Sequence, residues 1–178
     1  VRGAWEWHAE RVNDLLAAIN GKAIIGIVTD DKTATLDEVK TLIPDSRVIW
    51  IENENIAECG DLSLRGKPFG EVATLQQALP MLADTGDSIT IYAHGKGIRQ
   101  HTRECESVRL WTEMMYETVS FAQEETIMAM EQGFHFFGSF RTFGFRPFAP
   151  KHGWHFSGTF FNFRTQCAFS EGVPVKVQ

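Results

Sequence analysis

The feature that most constrains the fold is the run Ala23-Ile24-Ile25-Gly26-Ile27-Val28, six residues without a polar side chain, ending at the turn Thr29-Asp30-Asp31-Lys32. A strand that shows no polar alternation must be covered on both faces, which is the situation of a strand in a parallel sheet flanked by helices. The surrounding sequence supplies those helices. Between Glu6 and Ile19 the apolar residues Val12, Leu15, Leu16 and Ile19 recur at helical spacing, with Gly21 placed to close the helix. Thr35-Leu36-Asp37-Glu38 is a capping box that opens a short helix through Val39 and Ile43, which Pro44 stops. A second strand is expected over Arg47 to Ile51. A helix carrying Val72, Leu75, Leu79 and Leu82 follows, and then a third strand from Ser88 to Tyr92. Strands alternating with helices of this length imply an α/β fold with a mostly parallel sheet.

The second half differs. One long helix is expected from Glu104 to Gln132, with Val108, Trp111, Met115, Val119 and Ala122 on one stripe and Gly133 as its stop. Beyond it, 11 of the 14 Phe residues fall between Phe134 and Phe163, in a tract suited to short strands such as 134–137 and 155–164. With 178 residues, no internal repeat and no flexible linker, the chain reads as a single domain, residues 1–178.

Composition excludes several classes of function. The net charge of −6 argues against nucleic acid, since phosphate backbones are bound mainly by clustered Lys and Arg. No run of 18 apolar residues is present, so the chain is expected not to be transmembrane. Cys59, Cys105 and Cys167 lie far apart with no C-x-x-C, which reads as reduced thiols and a cytoplasmic protein.

Ligands of open α/β sheets bind outside the carboxyl ends of the strands. The three expected strands deliver polar residues there: Asp30 and Asp31, then Asn53, then His94 and Lys96. In His94-Gly95-Lys96-Gly97 the glycines allow close backbone approach to a ligand, and the two cations are suited to a diphosphate. His94 is equally suited to a divalent metal, and the plainer alternative is a turn with a solvated Lys. Trp154-His155-Phe156-Ser157-Gly158 is the second cluster. There His155 is suited to phosphate or metal, or is simply a core histidine among Phe residues, and Trp154 offers a stacking platform. Arg164 offers a charge for a phosphate or a sugar acid, or for the acidic surface. His152 and His155 share H-x-x-H spacing without a Cys or carboxylate cluster, which argues against zinc.

These elements in order resemble a group of bacterial and viral GT-A-like glycosyltransferases. They are Tyr92 to Gly97, Trp111 to Met115, Gly133 to Gly138 and His155 to Arg164. The resemblance implies a Rossmann-like nucleotide-binding half over residues 1–100 and an acceptor-side half over 101–178. It implies a transferase of the hexosyltransferase type, taking a nucleotide diphosphate-sugar donor and a glycan or other hydroxyl acceptor. On that implication His94, Lys96 and His155 are the catalytic residues, Asp30, Asp31 and Asn53 bind the nucleotide, and Trp154, Ser157 and Arg164 serve the sugar or acceptor.

Three departures from the group accompany the match. His94-Gly95-Lys96 stands where an Asp-x-Asp metal motif is usual, so Mn or Mg is compatible with the site but not demanded by it. Thr159 to Asn162 replaces Asn and paired Trp. No strand precedes the helix from Glu6, so either sequence upstream of Val1 supplies one or the domain is a reduced version. A non-catalytic nucleotide- or carbohydrate-binding module of the same fold is the alternative.

Overall fold

A computed structural model of the chain describes residues 2–29, 36–54, 71–83, 85–95, 106–138, 141–142, 155–156 and 160–169; at 2–5, 28–29, 53–54, 71–73, 141–142 and 155–156 it describes the backbone alone. The chain divides into two compact units, Val1–Asp84 with Pro174–Gln178 and Thr85–Val173.

In the first unit, helix α1 (Arg2–Ala18) leads to strand β1 (Ala23–Thr29), helix α2 (Leu36–Leu42), strand β2 (Val48–Glu54) and helix α3 (Glu71–Leu82). β1 and β2 pair in parallel, from Ala23 opposite Val48 to Thr29 opposite Glu54. Alternation along the strands assigns their faces. Ala23, Ile25 and Ile27 with Val48 and Trp50 pack against Ala9, Val12, Leu16 and Ile19 of α1 and its end, and against Leu36, Val39 and Ile43 at α2. The opposite face meets α3, where Ala78 is buried, as is Ile51 of β2. Gly26 lies on that face, and a Cβ there would run into the side chain of Thr74. The apolar run is therefore packed from both sides, and at its glycine the helix comes too near to leave room for a side chain.

Gly21, expected to close α1, is not among the left-handed glycines of the described residues. A cation does the closing instead. Arg47 donates Nη1 to the Ile19 carbonyl at 2.6 Å and Nη2 to the Leu16 carbonyl, satisfying acceptors that a helix end leaves open. Asp45 fixes the guanidinium through contacts to Nε at 3.0 Å and Nη2 at 2.6 Å, and accepts the Arg47 backbone N–H at 2.8 Å. The Arg47 side-chain hydrogen bonds, followed by its backbone one, hold the Asp45 carboxyl below the usual carboxylate range.

In the second unit, strand β3 (Ile89–Tyr92) is followed by α4 (Glu106–Met115), a π-helical turn (Tyr116–Ser120), α5 (Gln123–Glu131), β4 (Phe136–Phe137), β5 (Arg141–Thr142), β6 (His155–Phe156), β7 (Phe161–Arg164) and α6 (Thr165–Phe169). The expectation of a mostly parallel sheet is met by β1 and β2 alone among the described strands. β3 instead pairs antiparallel with β7, Ile91 opposite Asn162, and β4 joins β7 on its other side. The Thr165 N–H donates to the Ser88 carbonyl at 2.8 Å, and the Thr165 hydroxyl bonds those of Ser88 and Thr90 at 2.8 Å each, which fixes this register. β5 and β6 form a separate antiparallel pair.

The long helix expected over Glu104 to Gln132 is interrupted. Phe121 N–H reaches the Tyr116 carbonyl at 3.0 Å, five residues back, and this wider turn carries Tyr116, Val119 and Ser120 inward. Ala122, at φ −78° and ψ 58°, is the centre of an inverse γ-turn closed by Gln123 N–H to the Phe121 carbonyl at 2.9 Å. α5 then ends as the sequence anticipates. Gly133 takes φ +89°, Gly133 N–H donates to Met130 O and Phe134 N–H to Ala129 O, both at 3.1 Å, in a Schellman arrangement. No helix among the described residues is long and apolar enough to cross a membrane.

Candidate functional site

His94 is the expected catalytic side chain that the structure describes. β3 runs out at Tyr92, and the next three residues carry the chain through Ala93, His94 and Gly95 without regular structure. The imidazole is half-buried between two rings. Its centroid lies 6.4 Å from Tyr92, nearly parallel to it, and 5.6 Å from Phe160. Phe160 is fully buried just ahead of β7 and meets Tyr116 of the π turn edge-on at 5.1 Å. The imidazole is thus flanked by two aromatic rings. An imidazole so held can donate a hydrogen bond to an anion.

Directly behind this wall lies a buried polar pin. Asn162 shares its sheet face with Phe160 and is fully buried. Its Nδ2 donates to the Val119 carbonyl at 2.8 Å and to Thr126 Oγ1 at 2.7 Å, and Thr126 in turn donates to the Ala122 carbonyl at 2.7 Å. One side chain of β7 therefore holds both sides of the helix break. Asn162 Oδ1 and Ser120 Oγ are buried without a hydrogen-bond partner among the described residues.

The other anticipated residues are distributed as follows. Arg164 pairs with Ile89, at the opposite end of β3 from His94. At about 3.4 Å per residue, the length of β3 from Ile89 to Tyr92 alone, about 10 Å, separates it from the end that leads to His94. Its Nη2 donates to the Met130 carbonyl at 3.2 Å, and Nε lies 4.0 Å from Asp87, so it closes α5 rather than joining His94. His155 stands opposite Thr142 in the β5–β6 pair, where the backbone alone is described. Asn53 stands opposite Val28 near the carboxyl end of β2, also as backbone. Asp30, Asp31, Lys96, Trp154 and Ser157 lie outside the described residues. Among the described residues no three His, Cys, Asp or Glu side chains are grouped to hold a metal ion.

Tyr116, Phe160 and Asn162 are the members of this cluster that the sequence does not single out. The one available signal was Asn162 on the same alternating face as Phe160, a polar residue where an apolar one would serve a core. Comparison with protein families, with curated proteins and with solved structures finds no match to this chain.

Proposed function

We propose that the chain is a glycosyltransferase domain of the GT-A-like, Rossmann-related kind, moving a sugar from a nucleotide diphosphate donor to an acceptor hydroxyl. The observation that carries this reading is the parallel register of β1 and β2. Both strands finish at one edge, Asn53 beside Val28, and the chain leaves that edge directly into Asp30 and Asp31. Nucleotides bind at such carboxyl edges in open α/β sheets.

The reaction develops negative charge on the departing diphosphate, so it needs a positive group or strong donors there. His94 and Lys96 take that role on this reading, with His155 assisting; Asp30, Asp31 and Asn53 are the nucleotide-binding residues, with Asp30 at the base or ribose. Trp154, Ser157 and Arg164 serve the acceptor side in the sequence reading, although the position of Arg164 at the α5 terminus supports a structural task for it. Mn or Mg would share the charge neutralisation if bound.

The test is a panel of nucleoside diphosphates in thermal-shift and calorimetric titrations, with and without Mn. A cognate nucleotide at a hundredfold excess over its Kd stabilises the fold by about 2.7 kcal/mol. The shift is expected to weaken in Lys96→Ala and in Asn53→Ala. Hydrolysis of the matching nucleotide-sugar then selects the enzyme, whereas binding without turnover selects a non-catalytic module. No shift with any nucleotide overturns both.

A further inference from the structure

The four methionines of the second unit divide between interior and surface. Met115 and Met130 are buried, whereas Met114 is 50% and Met128 57% exposed. Each exposed methionine shares one side of its helix with an exposed aliphatic residue. From α4 into the π turn, Glu106, Leu110, Met114 and Glu117 follow at steps of four, four and three, and Leu110 is 57% exposed. On α5 the order recurs as Glu124, Ile127, Met128 and Glu131, with Ile127 46% exposed. The four glutamates are exposed as well. The inward sides of these helices are filled by Thr112, Met115, Thr126 and Met130, so the outer apolar pairs have no part in the core. Each pair is instead held open to solvent between carboxylates about one turn away on either side.

Charge decides what can cover such a surface. From Glu106 to Glu131 the chain carries six glutamates and one basic residue, Arg109. Arg164, at the end of α5, is engaged with the Met130 carbonyl. A second copy would set glutamates against glutamates, and anionic lipid or nucleic acid would set phosphates against them, all opposed by like charge. A cationic amphipathic helix meets both requirements. Its apolar residues, at i, i+3, i+4 and i+7, pack on the aliphatic pairs, and its flanking Lys or Arg side chains pair with the carboxylates. The flexible methionine side chains adapt to the shape of such a partner.

We propose that the second unit docks a cationic amphipathic helix of a partner protein on these outer sides of α4 and α5. Leu110, Met114, Ile127 and Met128 are the apolar anchors, and Glu106, Glu117, Glu124 and Glu131 supply register and specificity. None of them belongs to the nucleotide or acceptor set, so the docking is separate from any transfer reaction.

The experiment titrates the 178-residue chain, isotopically labelled at its methionine methyls, with a synthetic Leu/Lys peptide of about 18 residues, five helical turns, with Leu at the amphipathic positions. The NMR signals of Met114 and Met128 are expected to move. Those of the buried Met115 and Met130, and of Met81, which is 43% exposed on α3, are expected to stay in place. By calorimetry, a scrambled peptide of the same composition should bind about tenfold more weakly. Leu110→Gln with Ile127→Gln, which leaves the methionine reporters intact, should also raise the Kd about tenfold. Glu117→Gln with Glu124→Gln should raise it about threefold. All four substituted side chains are exposed, so both variants should melt with the parent. No binding of the patterned peptide, equal movement at Met81, equal affinity for the scrambled peptide, or an unchanged Kd in either variant overturns the proposal. So does self-association, or capture by phosphatidylserine vesicles, that Leu110→Gln with Ile127→Gln abolishes.

Discussion

Replacing Asn162 by Leu tests whether the helix break between α4 and α5 is held from β7. Leu is of similar size and keeps the strand face filled, so the change is mainly the removal of polar atoms. The Val119 carbonyl, which accepts from Nδ2 at 2.8 Å, is left buried and unpaired, at about 1–3 kcal/mol. Thr126 keeps its own donation to Ala122 but loses an accepted bond, worth about 1 kcal/mol. Removing Asn162 Oδ1, buried without a partner among the described residues, returns about 1 kcal/mol. The balance is a loss of about 2 kcal/mol, or roughly 8–16 °C in Tm for a unit of this size. Urea titrations of Asn162→Leu, Thr126→Val and the double variant form a cycle whose coupling should be about 0.5–1.5 kcal/mol. A loss below about 0.5 kcal/mol, or strict additivity in the cycle, would refute the account of Asn162 as the pin.

Two further expectations concern the first unit. Gly26→Ala places a methyl against the Cγ2, Oγ1 and Cβ atoms of Thr74, so a rotamer change alone does not relieve it, and α3 must move. Urea unfolding should show a loss of about 1–3 kcal/mol, partly restored by Thr74→Ala; an unchanged midpoint would contradict the packing described. For Asp45, the native carboxyl is held below its ordinary value by Arg47, so its contribution is present above pH about 3.9 and is lost as pH falls through the lower native value. Carboxyl titration by NMR should show the depressed midpoint in the parent and an ordinary one in Arg47→Ala; equal midpoints would sink the assignment.

How much of this was legible follows from the range of the interactions. β1, α2 and β2 declare themselves because each is a local pattern: an unbroken apolar run, a capping box, a proline stop. Gly133 could be read as a helix stop because a left-handed cap needs only its own neighbours. Closure of α1 could not, since the acceptors at Leu16 and Ile19 are met by Arg47 from the next loop but one. The break at Ala122 has no Gly or Pro to announce it; it rests on Asn162, which lies 43 residues beyond the Val119 carbonyl it holds. The same reason hid the partner of β3. Four residues bounded by Ser88 and Ala93 specify a strand, but not whether β2 or β7 will receive it. His94 was legible as a polar residue at a strand end, whereas its aromatic walls come from segments that only the fold assembles. Arg164 was legible as a cation, but its placement at the α5 terminus depends on the β3–β7 register.

That register also sets an order of assembly. Ala23 meets Val48 across a short crossover, whereas Ile91 must find Asn162 across nearly three times the sequence separation. Loop-closure entropy makes the second encounter costlier by about 0.9 kcal/mol before any contact rewards it. Residues 1–84 are also made before the second unit on the ribosome, and the β1–β2 pair can close while the later strands are still being synthesised. β3 has no such option. It must wait for the last strand of its sheet, so the slow step of folding should be the arrival of β7.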